Sequence, residues 1–481
     1  MQIFVENKKI SDVCADVLIL PVFIDVDNSS ADFAEFYEYA QNDMGYKSKL
    51  NEILVLPTYK KISAKNILFV GLGETEEFTF NKFRAAISKA FQKLSGMKNI
   101  KNIAVAYNFA FEDVVLGAET IVEGALIGLY KFDKYKSEKK EDKIETIALI
   151  SENEADTKAG IEAATIYANA VNNARDLINE PAEFVTPEKL AQLACEIQGI
   201  ETKIYNKAEI ENMGMGAFLA VGQGSRHEPK FIHMKYSPKG EKTKTVAIVG
   251  KGITFDSGGL DIKPAASMLD MKGDMAGAAA VLSVMRALVE LEPSVEVHGI
   301  IAACENMPSA ASYKPGDVLT AMNGKTIEVD NTDAEGRLTL ADALCFAETL
   351  NPDSIIDVAT LTGACCVALG KIASGLLGND PDLIENLRMC GENAGEYLWE
   401  MPMFEEYFDD LKSDIADFKN AGTRYGGTSA AALFLKKFIK NTPWAHIDIA
   451  GTSIVNKPLR EFSKGPTGAG VRTLLIYISN L

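Results

Sequence analysis

Asp333 and Glu335 stand one residue apart in the run Asn331-Thr332-Asp333-Ala334-Glu335-Gly336-Arg337-Leu338, just ahead of a helix-like stretch. Upstream, Lys251, Asp256, Lys263 and Asp274 add two carboxylates and two lysines among glycines and apolar residues. Four carboxylates and three cations crowded into apolar surroundings are costly to desolvate unless something compensates them. Bound divalent metal is the simplest compensation. Each residue also has a plainer reading. Asp274 alone would cap a helix. Asp333-Ala334-Glu335-Gly336 would be an acidic turn at a helix start. Lys251 would snorkel to solvent, and Arg337 would pair at the surface.

The elements around these residues favour a shared cleft. An apolar strand is expected over 245–250, so Lys251 follows its end, and Asp256 lies in Thr254-Phe255-Asp256-Ser257-Gly258-Gly259. Asp274 precedes a helix expected from Ala276 to Leu291, and Asp333 and Glu335 precede one expected from Thr339 to Leu350. In open α/β sheets, sites form beyond the carboxyl ends of the strands, where such residues meet. Further strands are expected at 203–205, 231–236, 295–303, 354–359 and 445–450, with helices between most of them.

The first part of the chain shows the same alternation. Strands are expected at 16–22, 66–73, 103–106 and 146–150, and a helix over 81–94 carries Phe83, Ile87, Phe91 and Leu94 on one face. Residues 131–143 read as a charged, solvated loop. An alanine-rich stretch without internal proline predicts a helix over 152–173. The expected fold is therefore α/β with two domains. A smaller N-terminal α/β domain covers 1–151, a connecting helix 152–173, and a larger C-terminal domain 174–481, whose mostly parallel central sheet is flanked by helices. Val70-Gly71-Leu72-Gly73 is too short for a dinucleotide fingerprint and reads as a strand-to-turn transition.

Bulk properties set limits on function. The 481 residues are 47% hydrophobic and 24% charged, as in globular proteins, and exceed one ordinary core. The net charge of −18, from 49 Lys+Arg against 67 Asp+Glu, disfavours nucleic acid and anionic membrane as partners. The first residues lack a basic start followed by an apolar run, and no apolar stretch is long enough to span a bilayer. The seven scattered cysteines, Cys365-Cys366 included, read as reduced and buried, which suits a cytoplasmic location. His227, His233, His298 and His446 form no spaced metal motif and receive no catalytic role.

Taken together, the motifs resemble those of the leucine aminopeptidases, peptidase family M17. The resemblance rests on Val249 to Gly259, Ile262-Lys263-Pro264, Met271 to Ala279 and the highly specific Asn331 to Leu338. Flanking support comes from Asn173 to Ala182, Asp414 to Asn420 and Gly468 to Leu474. The first domain resembles the family only in its general α/β pattern. The resemblance implies two divalent metals, with Asp256 and Glu335 bridging, Lys251 and Asp274 completing one site and Asp333 the other. A ligating lysine must be neutral, and neighbouring dications favour that. Such oxygen-rich ligands suit Mn²⁺ or Zn²⁺, with Mg²⁺ and Co²⁺ also admissible. The resemblance further implies that Arg337 holds a bicarbonate general base and that Lys263 steadies the oxyanion formed when a metal-acidified water attacks. Met271, Thr360, Gly363 and Ala450 would line an apolar side-chain pocket suited to Leu or Met. Asp261, where the family often has a small polar residue, would adjust Lys263. The expected protein is an aminopeptidase acting on short peptides with a free N-terminus, Cys-Gly among them, and assembled as a homohexamer. The alternative is a nucleic-acid-binding or regulatory protein with incidental peptidase activity, against which the acidic charge speaks.

Overall fold

Strands in this chain carry apolar residues on both faces, and that forces helices onto both sides of each sheet. The computed structural model describes residues 1–29, 31–107, 113–139 and 144–481. It contains two compact units, one of residues 1–169 with 457–464, the other of residues 170–456 with 465–481.

Among the described residues the first unit is built on six strands: β1 (Gln2–Glu6), β2 (Val17–Val22), β3 (Ile53–Pro57), β4 (Asn66–Gly71), β5 (Asn102–Ala106) and β6 (Thr146–Ile150). Their order is β1-β6-β5-β2-β4-β3, and only β3 runs antiparallel to its neighbour. The two-residue period of β2 is plain in its packing. Val17 and Ile19 join one apolar cluster, with helices Phe80–Ser95 and Val114–Gly128, while Leu18, Leu20 and Val22 join another beneath helix Ala34–Asn42. Strands β1 and β3 were not expected from the sequence. Both are edge strands and are largely half-buried, so their burial signal is weaker, and the proline ending β3 is tolerated at an edge. Residues 131–139 form no helix or strand, as expected, whereas 140–143 lie outside the described residues.

The helix expected over 152–173 is α1 (Glu154–Asn179), which contributes to both units. It continues to Asn179 because no proline interrupts it before Pro181. The return of 457–464 to the first unit is a tertiary feature without a local sequence signal.

The second unit holds β7 (Glu201–Tyr205), β8 (Lys230–Tyr236), β9 (Thr245–Asp256), β10 (Glu296–Asn306), β11 (Ser354–Ala359), β12 (Ser374–Gly378), β13 (Leu398–Glu400) and β14 (Trp444–Asp448). Their order is β13-β12-β14-β11-β9-β10-β8-β7. The four central strands, β14, β11, β9 and β10, are mutually parallel, while β7, β8 and β12 bring in the antiparallel pairs. The carboxyl ends of the central four therefore converge on one edge, at Asp448, Ala359, Asp256 and Asn306. A small sheet of Val318–Thr320, Thr326–Glu328 and Phe418–Lys419 ties the chain before Asp330 to the chain before Asn420. Helices α2 (Ala276–Leu291), α3 (Gly336–Thr349), α4 (Gly363–Leu369) and α5 (Gly427–Lys436) begin near the same edge of the sheet. Among the described residues no helix is long and apolar enough to cross a membrane.

Two expectations need correction. Strand β9 does not stop at Gly250 but runs on to Asp256, so Lys251 lies within a strand. Hydrogen bonding to β10 extends it, with Lys251 opposite Ala302 and Asp256 opposite Asn306. The cysteines are all free, but they are not all buried: Cys14 and Cys195 are exposed and Cys366 is half-buried.

Helix α2 rests directly on the sheet backbone. A Cβ on Gly277 would lie 2.0 Å from the Val358 carbonyl oxygen and 2.8 Å from the Lys251 nitrogen. Gly277→Ala must therefore push α2 off β9 and β11. Overpacking of this kind costs about 1–3 kcal/mol. The expected outcome is a thermal midpoint lowered by ~2–4 °C per kcal/mol, and an unchanged melting curve by calorimetry would refute the tight contact.

Candidate metal centre

Regular alternation would place Lys251 and Asp256 on opposite faces of β9, because five residues separate them. The register with β10 changes there: Ile253 pairs with Cys304 but Asp256 with Asn306, leaving one extra residue in β9. This bulge turns Asp256 to the Lys251 side, where both reach the same cleft.

Lys251 is 3% exposed and sits among acids. Its ammonium donates to Asp274 Oδ1 at 2.8 Å and to the Thr360 carbonyl at 3.0 Å. It also lies 2.7 Å from Asp274 Oδ2 and 2.9 Å from Glu335 Oε1. Burial alone would lower the lysine pKa, but the charges of Asp274, Glu335 and Asp256 outweigh it and hold the amine above its ordinary range. Asp274 does not cap helix α2, whose N-cap is Met275 and carries no side-chain cap. Its Oδ1 instead accepts from the Thr360 hydroxyl at 2.7 Å.

Lys263 forms the second cationic contact, 2.8 Å from Asp256 Oδ2 and 2.5 Å from Asp333 Oδ1. Here too burial opposes the charge, but Asp256 and Glu335 outweigh it and raise the pKa. Burial, with the Glu335 charge next, pushes Asp256 up to about 6. The Asp256 Oδ1 atom accepts from the Gly258 backbone and from Asn306 Nδ2, both at 2.9 Å.

Asn306 also donates to the Thr332 carbonyl at 3.0 Å, and the Tyr313 hydroxyl reaches the same oxygen at 2.7 Å. Asn420 secures the other side of this loop. Its Oδ1 accepts from the Asp330 nitrogen at 2.8 Å, its Nδ2 donates to the Asn331 carbonyl at 2.7 Å, and its own carbonyl accepts from Arg337 at 2.6 Å. Burial lowers the Arg337 pKa to about 10. Asp261 is not a partner of Lys263. Its carboxylate accepts from the Thr332 nitrogen at 2.8 Å and hydroxyl at 3.1 Å, so it shapes the loop that carries Asp333. Sequence reasoning missed Asn306 and Tyr313 as supports because neither stands in a diagnostic spacing, and Thr332 was visible only as a member of the run from Asn331 to Leu338. Asn420 was visible only as the end of a flanking motif.

All eleven site residues expected from the sequence line one cavity of about 500 Å³: Lys251, Asp256, Lys263, Met271, Asp274, Asp333, Glu335, Arg337, Thr360, Gly363 and Ala450. Cys366, Lys371, Ser453 and Ile454 line it as well and were not expected. The histidines lie elsewhere. His446 is buried against Asp357, with Nδ1 at 2.5 Å from Oδ1, and His233 stacks on His298.

The donor set suits divalent cations. Ligand atoms of Asp256, Asp333 and Glu335 fall within 4.8 Å of one another. Asp274 Oδ2 and Asp333 Oδ1 are buried and receive no directed hydrogen bond, although a lysine nitrogen stands close to each. Carboxylate oxygens short of donors, concentrated in this way, attract hard or borderline cations. Gly336 leaves room for the amine as it stands: a Cβ there would lie 2.4 Å from Lys251 Cε and 2.7 Å from Nζ. Gly336→Ala is expected to displace the amine and to weaken Mn²⁺ binding at least about tenfold. Unaltered calorimetric affinity would refute the role of that gap.

The chain matches known proteins over most of its length. Residues 172–475 match the catalytic domain of the cytosol aminopeptidase family, and residues 25–139 match that family's N-terminal domain. A protein named "Probable cytosol aminopeptidase" from Persephonella marina is 45% identical over 440 residues, covering 89% of this chain and 88% of its own. One of the same name from a Sulfurihydrogenibium species is 42% identical over 494 residues, covering 99% and 98%. Among solved structures, the bottromycin maturation enzyme BotP in complex with Mn aligns with a TM-score of 0.88 at 32% identity, over 97% of this chain and 99% of that one.

Proposed function

This chain belongs to the cytosol aminopeptidase family and is an aminopeptidase, and we propose that it releases Leu- or Met-like N-terminal residues from short peptides with two divalent cations. The convergence of Asp256, Asp333 and Glu335 beside the Lys251–Asp274 pair carries this reading. Lys251 and Asp274 would hold one cation, Asp333 the other, and Asp256 and Glu335 would bridge them. When bound, such cations supply an acidified water and Lewis-acid polarisation of the scissile carbonyl. Mn²⁺ or Zn²⁺ fits the donors, with Mg²⁺ and Co²⁺ admissible, and the Mn in the BotP structure supports Mn²⁺.

The protein's own groups take defined parts. Lys263 reaches Asp256 and Asp333 and is held protonated, so it can donate to the oxygen that gains charge. Arg337, fixed by the Asn420 carbonyl, would hold a bicarbonate, which supplies proton-accepting oxygens. Asp274, beside Lys251, would accept from the α-amine of the substrate. An internal peptide bond offers no such amine, which explains exopeptidase action. Met271, Thr360, Gly363 and Ala450 would receive the first side chain. The Thr360 hydroxyl is committed to Asp274, which leaves the pocket fewer polar groups and favours apolar side chains.

The proposal extends to a cytoplasmic homohexamer without nucleic-acid partners, with Cys-Gly cleavage as a secondary activity. Light scattering at micromolar protein should give six times the chain mass, and a monomeric mass would reject the assembly.

A leucyl chromogenic amide tests the reaction. Chelator-stripped protein should be silent and should recover with Mn²⁺, Zn²⁺ or Co²⁺, more strongly with bicarbonate. An N-acetylated substrate should stay intact. Lys263→Ala should lose about 10²–10³ in kcat if it supplies an oxyanion donor. Release without metal, or equal cleavage of the acetylated substrate, would overturn the mechanism, and a preference for Glu over Leu and Met would overturn the pocket assignment.

A further inference from the structure

Beside the metal cleft lies a second cavity of about 800 Å³. The two share Asp333, Ala334, Arg337, Leu361, Thr362 and Gly363. A peptide that places its amine and first side chain in the metal cleft must send its remainder across that shared wall.

The character of the second cavity fits the end of a short peptide. Val367, Met401 and Tyr425 make part of its wall apolar, while Arg337 and Arg424 make it cationic. Among the described residues its one carboxylate, Asp333, is engaged by Lys263 at 2.5 Å. Arg424 has no ion-pair partner among the described residues, and its guanidinium lies 5.2 Å from the centre of the Tyr425 ring.

The first turn of α5 completes this wall. Its N-cap, Gly426, has no side chain to cap the helix, and the first intrahelical bond seen is from Ala430 to the Gly426 carbonyl. Among the described residues the backbone N–H groups of Gly427, Thr428 and Ser429 meet no acceptor. Ser429 is only 3% exposed, lines the cavity, and its hydroxyl has no hydrogen-bond partner among the described residues. An unpartnered hydroxyl on a nearly inaccessible serine that lines the cavity, open helix N–H groups and a guanidinium without an ion pair together suit an anion.

We infer that the second cavity holds the leaving part of a di- or tripeptide and that Arg424, Ser429 and the first turn of α5 bind its free C-terminal carboxylate. This rests on the aminopeptidase reading of the metal cleft. It makes the enzyme sensitive to both ends of its substrate: the amine through the metal cleft, the carboxylate through α5. The volume is that of a small-ligand site, so the discrimination favours peptides of a few residues.

The experiment compares Leu-Gly with Leu-Gly-amide, and Leu-Gly-Gly with its amide, in the metal-loaded wild type and in Arg424→Gln and Ser429→Ala. Removing a charge-assisted bond remote from the reacting atoms should act mainly through KM. For at least one pair the free acid should be preferred about tenfold in kcat/KM. That ratio should fall toward one in Arg424→Gln and shrink in Ser429→Ala. Wild-type ratios near one for both pairs, or a ratio unchanged in Arg424→Gln, would overturn the inference. Leucyl anilide has no carboxylate and reports on the metal cleft alone. Its cleavage by wild type beside ratios near one would remove the carboxylate site and leave the aminopeptidase standing, whereas no cleavage of it would overturn both.

Discussion

The second unit depends on holding a dense set of like charges at the bottom of a packed cleft. Asp256, Asp274 and Glu335 are nearly inaccessible, and Asp333 is half-buried beside them. Isolated buried carboxylates of this number would take up protons rather than stay charged. Two lysines offset them. Lys251 pairs with Asp274 and Glu335, and Lys263 with Asp256 and Asp333, so each cation touches two acids on different segments. The lysines thus join four separate pieces of chain through one electrostatic balance. The balance is local, since the molecule as a whole carries an excess of acid.

Backbone features make the convergence possible. The bulge in β9 brings Asp256 onto the Lys251 side. Helices α2 and α3 start close enough to the sheet that Gly277 and Gly336 fill positions where any side chain would strike the Val358 carbonyl or the Lys251 stem. The loop from Asp330 to Arg337 is fixed from three directions by Asn306, Asp261 and Asn420. Those neutral and acidic groups bind mainly the backbone of this loop, with Asn306 reaching the Asp256 carboxylate as well, and their work is to keep Asp333, Glu335 and Arg337 at fixed separations.

The same wall that bounds the acidic cleft also bounds the larger cavity beside it. Arg337, Leu361, Thr362 and Gly363 belong to both. A short loop after β11 and the start of α4 therefore separate the cleft where the carboxylates converge from the larger cavity beside it. The charge differs across that wall. The cleft is dominated by paired acids and lysines, whereas the neighbouring cavity has two guanidinium groups and an open helix N-terminus.

The sequence alone determined the α/β class and most central strands within a residue or two, and it named eleven residues that the fold gathers around one cavity. It did so because motif residues sit at strand ends and helix starts, where local pattern and chemistry coincide. It did not determine the edge strands β1 and β3, whose partial burial weakens periodicity, or the length of β9, which is set by pairing with β10. Nor did it reveal Asn306 or the true partner of Asp261. These hydrogen bonds join residues far apart in the chain, and no local spacing encodes them. The return of 457–464 to the first unit and the meeting of two cavities at one wall are likewise matters of packing. Residue types fixed what chemistry was available, and the tertiary structure decided which charges face one another and what lies beside them.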